Sequence, residues 1–495
     1  MSADAMNVSR AACLLAVVAV IEGCGSPSAV GSLPPSALED PTTCQGCHPT
    51  QFAQWSGSMH AYASEDPVFL AMNKRGQRET NGALGTFCVQ CHAPVAVQKK
   101  LTTDGLNLAT LPAPTRGVTC FYCHSAASVD GTHNNPLVLA ADGESLFGPF
   151  SDPVPGSPHK VSHSNLLDDL EPDSAAACGS CHDIVNQHGA AIERTFAEWK
   201  GTLFAIPPNG QTCAACHMTE QPMTLAATTS TKKRTTHDHG LPGVDLALTP
   251  FPTMDTQPQM DAQKQGVQTL LDPTLLTTVC YNPALNNIEI DLDNAGAGHG
   301  FPSGASQDRR VWVEVTAYVG EQVIYQSGVP PAGQTVESAP DADLWMIRDC
   351  MFDDSGNAVD MFWQPSTVVS NQLPGSVMLN VNDPSSYTKS HIKATYPGGG
   401  VKLTQTPDRI SVKVHIKAIA DEVLADLVTS GDLDPSFMGQ IQTFTPSSGT
   451  AEWTMALAGA AQPNTLPPVY CVVPGAGNVY RESPNVAMSH VRCTP

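Results

Sequence analysis

The alternation of apolar and polar residues divides the chain into two dissimilar parts. In the C-terminal part, several segments alternate with a period of two or are rich in β-forming residues, which is typical of half-buried strands. These segments are residues 287–292, 311–318, 322–325, 410–419 and 452–457. Turn-forming runs at 354–357 and 397–400 separate some of them. The pattern predicts an antiparallel β-sandwich domain over residues 276–495.

The preceding half has no long periodic segment. Between residues 41 and 250, Ser, Thr, Gly and Pro recur, which favours short helices joined by long loops. Two helix-like segments stand out at 49–63 and 190–199. Residues 251–275 are polar, with Pro and Gln, and are interpreted as a connector. The predicted fold class is therefore α+β and multidomain, with a loop-rich, mainly helical domain ahead of the β-sandwich.

The first 24 residues read as a lipoprotein-type signal peptide. Arg10 precedes an apolar run at 11–21 that is too short to span a bilayer, and Ile-Glu-Gly-Cys ending at Cys24 follows. Glu22 departs from the small residue usual in a lipobox, so a plain secretory signal with an incidental Cys24 is the alternative. Residues 25–40 are predicted to be a flexible linker. We expect an exported protein, periplasmic or at the cell surface, that is held at the outer membrane by a lipid anchor at Cys24 only.

The most informative motif in the helical half is Cys-x-x-Cys-His, which occurs five times. Two thiols three residues apart on one turn of the chain can each form a thioether to a porphyrin vinyl group, and the adjacent histidine can ligate the iron. The copies are Cys44/Cys47/His48, Cys88/Cys91/His92, Cys120/Cys123/His124, Cys178/Cys181/His182 and Cys213/Cys216/His217, here called motifs 1 to 5. Zinc is the alternative, but a zinc site leaves the five identically placed histidines unexplained. The sequence therefore predicts five covalently bound c-type haems, crowded into less than 180 residues.

The net charge restricts which partners the protein can bind, and the remaining cysteines indicate whether disulfides can form. Acidic residues outnumber basic ones 47 to 25, and the formal net charge is −22. Nucleic acid and anionic membrane surfaces are therefore poor partners, whereas a redox protein with a basic patch is a suitable one. Four cysteines remain outside the motifs and the signal: Cys280, Cys350, Cys471 and Cys493. In an exported protein they predict two disulfides, with three possible connectivities.

Beyond these motifs, residues 41–320 resemble the multihaem c-type cytochromes of bacterial respiratory chains, especially exported tetrahaem and pentahaem proteins with a C-terminal β-domain. The resemblance rests on Cys216-His217-Met218 and on segments around four other histidines. These are Trp55-Ser-Gly-Ser-Met-His-Ala, His159-Lys160, His239-Gly-Leu-Pro-Gly-Val-Asp and Gly298-His-Gly-Phe-Pro-Ser-Gly. It implies that His60, His159, His239 and His299 are distal iron ligands. His299 would then bring a ligand from the β-domain into the haem cluster.

Other aspects of the ligand set remain open. If 49–63 is one helix, His60 lies about 18 Å beyond His48 along it, so His60 more plausibly ligates a neighbouring haem. For the fifth distal ligand we prefer His133, with His163 next. The other histidines are His188, His237, His391, His415 and His490.

The sixth ligand of each iron decides the function. If every iron is held by two imidazoles, the protein is an electron carrier with five closely spaced haems, and this is the preferred prediction. An open position on one iron would instead allow a multihaem oxidoreductase acting on a small nitrogen or sulfur compound. A third hypothesis gives the β-domain a docking role. Whether the protein is an enzyme therefore stays open, with an electron carrier favoured.

Overall fold

The computed structural model describes most of the chain after the predicted linker. The described residues are 33–153, 157–208, 210–224, 233–251, 257–378, 387–388, 391–462, 465, 467–474 and 493. The predicted signal peptide, Cys24 and His490 lie outside them. Within these ranges, no helix combines the length and the apolar character that crossing a bilayer requires.

Residues before 250 form short helices and small two-stranded sheets. The helices are Pro35–Leu38, Pro41–Gln45, Pro49–Ser56, Met59–Tyr62, Pro67–Glu79, Val89–His92, Pro94–Gln98, Cys120–His124, Ala175–Gly179, Thr195–Lys200 and Cys213–His217. The paired strands are Ala126–Val129 with Leu137–Leu139, Ser145–Gly148 with Lys160–His163, Ile184–Val185 with Ala191–Glu193, and Glu220–Thr224 with Lys233–His237. Only the pair between Ser145–Gly148 and Lys160–His163 is parallel among these described strands.

Two helix predictions in this part were wrong in detail. Residues 49–63 form two helices, because the first ends at Ser56, before Gly57, and the Ser58 hydroxyl accepts a hydrogen bond from the Ala61 amide to cap the second. Residues 190–199 begin as the strand Ala191–Glu193, and a helix starts only at Thr195. In the first segment the side-chain hydrogen bond of Ser58 interrupts the helix. In the second, pairing with the strand Ile184–Val185 keeps Ala191–Glu193 extended.

Beyond 257 the chain is dominated by antiparallel strands. One sheet has the order His391–Tyr396, Asn287–Asn294, Leu275–Asn282, Tyr470–Val472. The second has the order Gln322–Ser327, Arg310–Val319, Arg409–Lys417, Thr443–Phe444, with Met346–Ile347 and Thr450–Thr454 also paired to it. Smaller sheets contain Cys350–Phe352, Ala358–Val359 and Thr367–Val369, and Val377–Met378 with Tyr387–Thr388. Helices here are Gln257–Leu271, Asp421–Thr429 and Met455–Ala458.

Both larger sheets contribute to one hydrophobic core. Ile290 of the first sheet and Val313 and Val414 of the second are fully buried in the same cluster. The strand prediction at 452–457 was too long, because Thr454 caps the short helix Met455–Ala458. Helices together with antiparallel sheets confirm the predicted α+β class.

The predicted connector is also more ordered than its composition indicated. Gln257–Leu271 is a helix of 15 residues, and its Val267 and Leu271 side chains are buried in the core shared by the two sheets. Polar residues cover most of this helix, so its narrow apolar stripe is difficult to recognise from the sequence.

The four cysteines outside the motifs form two disulfides, Cys280–Cys471 and Cys350–Cys493. The prediction of two bridges is therefore confirmed, and the structure selects one of the three connectivities. Cys471 lies opposite Cys280 in the pairing of Tyr470–Val472 with Leu275–Asn282. This bridge ties the C-terminal edge strand to the first sheet.

Candidate haem-binding site

The five motifs share a local geometry that suits covalent haem attachment. In motifs 1, 2 and 4 the histidine amide donates to the carbonyl of the first cysteine, four residues earlier, which closes one turn of the chain. In motifs 3 and 5 the helices Cys120–His124 and Cys213–His217 span the whole motif. All ten motif cysteines lie outside disulfides. None of these sulfur atoms is committed to a disulfide, and each motif places its histidine beside them, as covalent haem attachment requires.

In motifs 1 and 4 the second cysteine lies beyond the helix that contains the first. The helix Pro41–Gln45 contains Cys44 but ends before Cys47, and the helix Ala175–Gly179 contains Cys178 but ends before Cys181. In motif 1, Pro49 disfavours helical backbone at the preceding His48, where φ is −119° and ψ is 56°. Cys47 lies instead in the following turn, half-buried, and its amide donates to the Cys44 carbonyl at 3.1 Å. This tighter turn still keeps both cysteines close in sequence and in space, as attachment of one haem requires.

Four motif histidines face a second histidine from a distant part of the chain. The ring centroids are 6.3 Å apart for His48–His159, 6.2 Å for His182–His60, 6.3 Å for His124–His239 and 6.4 Å for His217–His299. An iron–nitrogen bond is about 2.0 Å long and an imidazole centre lies about 1.1 Å beyond its coordinating nitrogen, so two imidazoles across one iron have centroids about 6.2 Å apart. The spacing of the four pairs thus fits one iron between each pair.

The hydrogen bonds of these imidazoles fix the nitrogen that is free to coordinate. The Nδ1 atoms of His124, His217, His239 and His299 lie 2.7–2.8 Å from the backbone carbonyl oxygens of Phe147, Pro242, His237 and Gly300. A carbonyl can only accept, so each Nδ1 carries the proton and donates it. Nε2 is left with its lone pair, as an iron ligand requires.

Burial also keeps the rings neutral. Desolvation, followed by nearby imidazoles, lowers the pKa of His60 and His239 to about 4 and that of His182 to about 3. Burial is also the main cause of the lowered pKa of His217 and His299. A neutral imidazole is the form that binds a metal.

His92 of motif 2 differs from the other four. Its Nδ1 lies 2.9 Å from the Ala63 carbonyl oxygen, and its ring stacks on Phe69 with centroids 3.9 Å apart. Within the described residues, no second histidine ring is paired with it across a haem-sized gap. Phe69 was not recognised from the sequence as a neighbour of a motif histidine, because a single aromatic residue in a helix usually indicates core packing.

The structure does not bring the preferred fifth ligand, His133, opposite His92. His133 is exposed, and its Nδ1 lies 3.0 Å from the Thr132 hydroxyl. Its role as a distal ligand has no support in this geometry and stays a prediction. His163 and His237 instead contact the carboxylates of Asp168 and Asp169, each at 3.1 Å.

The loop that carries His299 is clamped to the helix Thr195–Lys200. The Glu198 carboxylate accepts hydrogen bonds from the Gly300 amide at 3.0 Å and from the Ser303 hydroxyl at 2.6 Å. A Cβ at Gly300 would lie 2.1 Å from the Gln372 side chain and 2.9 Å from the Glu198 carboxylate, so a larger residue would have to displace both. The clamp holds an imidazole from the β-sheet part of the chain at motif 5.

Contacts between thiols show which motifs are neighbours. Side-chain hydrogen bonds join Cys44 to Cys120, Cys91 to Cys181 and Cys178 to Cys213. Motif 1 therefore adjoins motif 3, and motif 4 adjoins motifs 2 and 5. Tyr122 of motif 3 lies close enough to Cys91 and Cys181 for their charges to raise its pKa, although burial raises it most. The five attachment sites form one continuous cluster.

The buried carboxyl group of Asp308, which follows the His299 loop in sequence, leads to a prediction of how the free energy of unfolding depends on pH. Burial raises the pKa of Asp308 to about 8. The charges of Arg310 and Arg309 lower this pKa by smaller amounts, and those of Asp360 and Glu193 raise it. A carboxyl pKa that is higher in the folded than in the unfolded chain reduces the free energy of unfolding as pH rises from about 4 to about 8. At pH 8 we expect Asp308→Asn to be more stable than the wild type by ~3 kcal/mol, because an amide resembles the protonated acid.

Urea unfolding at pH 5 and pH 8, with all haems oxidised, measures this difference. The exposed Asp354 supplies the control variant Asp354→Asn, which should retain the wild-type pH dependence. An Asp308→Asn protein that loses as much stability as the wild type between these pH values would show that another group is responsible.

Comparison with known proteins agrees with the motif geometry. Residues 43–125 match the family described as cytochrome c554 and c-prime. The fold is similar to the crystal structure of a penta-heme cytochrome c552 from Thermochromatium tepidum, with a TM-score of 0.55 and 17% sequence identity, over 84% of this chain and 99% of the other. No curated protein sequence matches the chain. The matched segment contains motifs 1 to 3, so the family match supports the prediction of a multihaem c-type cytochrome.

Proposed function

We propose that the protein transfers electrons through five covalently attached c-type haems, at least four of them held between two histidines. The observation that carries the proposal is the set of four histidine pairs with centroids 6.2–6.4 Å apart. His48, His92, His124, His182 and His217 would be proximal ligands, and His159, His60, His239 and His299 distal ones. Bound haem supplies a one-electron redox centre, and two imidazoles leave its iron without an open position.

The thioether bonds would come from the two cysteines of each motif. Their sulfur atoms are outside disulfides in all five motifs, including motif 1, where Cys47 lies beyond the helix that contains Cys44. The ten cysteines are Cys44, Cys47, Cys88, Cys91, Cys120, Cys123, Cys178, Cys181, Cys213 and Cys216. Two attachment points per ring would fix each haem beside its proximal histidine.

The chain's own residues provide the remaining requirements. Carbonyl acceptors orient the imidazoles, and burial keeps them neutral and excludes water. The contacts from motif 1 through motif 3 to motifs 2, 4 and 5 place the attachment sites side by side. We further propose a haem domain at 41–250, a β-sandwich domain at 276–495, export with an anchor at Cys24, and a redox partner whose basic patch complements the charge of −22.

Mass spectrometry of the mature protein and its electronic spectrum test this proposal. We expect the mass of five haems and a low-spin signal from at least four of them. Fewer than five attached haems, or a predominantly high-spin spectrum, would contradict it.

The second candidate is an oxidoreductase with one open iron, and the lack of a paired histidine at His92 within the described residues favours it. Carbon monoxide, cyanide and nitrite would then each perturb one haem, and turnover of a small nitrogen or sulfur compound should follow. Cys88→Ala/Cys91→Ala, which removes the attachment of the haem at His92, should abolish the perturbation, whereas His239→Ala, at a paired site, should add a second perturbed haem. An oxidised and reduced protein that ignores all three probes would exclude this candidate.

A further inference from the structure

One residue contacts the central positions of three different attachment motifs. Asn135 lies in the loop after motif 3, and its side chain accepts a hydrogen bond from the Tyr122 hydroxyl of motif 3 at 2.6 Å. Its Nδ2 donates to the carbonyl of Gln90 in motif 2. Its backbone amide donates to the carbonyl of Ser180 in motif 4 at 2.6 Å.

Asn134 strengthens the attachment to motif 4. Its amide donates to the Asp183 carbonyl at 2.9 Å, and its side chain exchanges two hydrogen bonds with the backbone of Val185, at 2.8 and 3.0 Å. Asp183 and Val185 closely follow the motif histidine, His182. The loop is therefore bonded on both sides of that ligand.

The backbone conformation explains why asparagine occupies both positions. Asn134 and Asn135 have φ values of +57° and +58°, in the left-handed region where asparagine is enriched among residues with a side chain. Glycine would also adopt this conformation, but it could not bond to Tyr122 and Gln90. The doublet thus combines a tight turn with two specific side-chain contacts.

We propose that Asn135 is a positioning residue for electron transfer, which holds motifs 2, 3 and 4 at a fixed mutual distance and orientation. The inference rests on the proposed function, because the spacing of the motifs matters only if haems are attached there. Motif 4 also adjoins motif 5, and motif 3 adjoins motif 1. Asn135 therefore lies at the junction that connects the two ends of the cluster.

Asn135→Gly tests the proposal, because glycine keeps the left-handed backbone and removes only the side chain. We expect the full haem content and an unchanged spin state. We also expect a weaker exciton couplet between haems in Soret circular dichroism and several-fold slower electron equilibration between haems after partial photoreduction. Tyr122→Phe, which removes one bond of the three, should cause a smaller change in the same direction.

The chain contains a closely matched control in its β-sheet part. Asn286 has a φ of +48°, accepts a hydrogen bond from the Tyr281 hydroxyl at 2.7 Å and donates to the Leu403 carbonyl at 2.7 Å. Asn286→Gly should reduce the free energy of unfolding without altering the couplet or the electron equilibration. It separates a general loss of stability from a change in haem spacing.

The outcomes distinguish this inference from the proposed function. Full haem content with a couplet and equilibration rate like those of Asn286→Gly would overturn the role of Asn135 and leave the proposed function intact. A wild-type protein with fewer than five haems would contradict the proposed function itself. If Asn135→Gly does not fold, Tyr122→Phe decides the question by the same two readouts.

Discussion

Replacing His299 with alanine is expected to convert one haem of the protein from low spin to high spin. Among the ring pairs of the described residues, His299 pairs only with His217, and His217 only with His299. Their ring centroids are 6.4 Å apart. Removal of one imidazole leaves the iron with an open or water-bound position, and such an iron binds carbon monoxide. The reduction potential of that haem should rise by on the order of 0.1 V, a fraction of the roughly 0.8 V range that axial ligands control.

Electron paramagnetic resonance of the oxidised protein and carbon monoxide difference spectra of the reduced protein measure the effect. Added imidazole should restore the low-spin state, because the protein surrounding the lost side chain remains. His415→Ala is the control, since His415 lies in the same part of the chain but contacts Glu314 at 3.0 Å and Thr445 at 2.8 Å. Unchanged spectra in His299→Ala would show that His299 is not a ligand.

Loss of the Cys280–Cys471 disulfide is expected to reduce the free energy of unfolding of the β-sheet part by about 2–5 kcal/mol. The bridge closes a loop with a sequence separation of 191 residues, which strongly constrains the unfolded chain. In the fold it fixes the three-residue edge strand Tyr470–Val472, which is otherwise held by a short ladder and the bond from the Trp453 indole to the Tyr470 carbonyl at 2.8 Å.

The double variant Cys280→Ala/Cys471→Ala should show this loss in urea unfolding followed by far-ultraviolet circular dichroism. Hydrogen exchange should become fast at Tyr470–Val472 and stay slow at Arg310–Val319. Cys350→Ala/Cys493→Ala, which opens a loop with a separation of 143 residues, should lose a similar free energy without releasing that edge strand. Slow exchange at Tyr470–Val472 in the first variant would show that the ladder alone retains the strand.

The strands whose sequences alternate between apolar and polar residues with a period of two were predictable, even where burial does not alternate, as in Asn287–Asn294, which is buried along its whole length. Arg409–Lys417 alternates strictly between buried and half-buried positions. Leu275–Asn282 was missed, because buried residues occur on both of its faces and its sequence does not alternate in polarity. The helix Gln257–Leu271 was missed because two buried side chains near its C-terminal end give too weak a pattern over 15 residues.

The attachment motifs of the site were easier to predict from the sequence than the distal histidines. Attachment is a local property of five consecutive residues, so the histidines that we propose as proximal ligands follow from spacing alone. The motif does not fix its own backbone, however, as the position of Cys47 beyond the helix end at Gln45 shows. The distal candidates came from the resemblance to a family. The sequence could not assign His60 to motif 4 or His239 to motif 3, because nothing local links residues so far apart.

The sequence by itself determined the class of fold and the number of disulfides and predicted the cofactor chemistry, since residue periodicity, cysteine number and motif spacing are properties of the chain. The tertiary structure decided which histidines face one another, which cysteines pair, and that an asparagine doublet connects three motifs. Those features depend on contacts between segments that are distant in sequence. They arise only when burial of apolar side chains and the hydrogen bonds of buried polar groups are satisfied together.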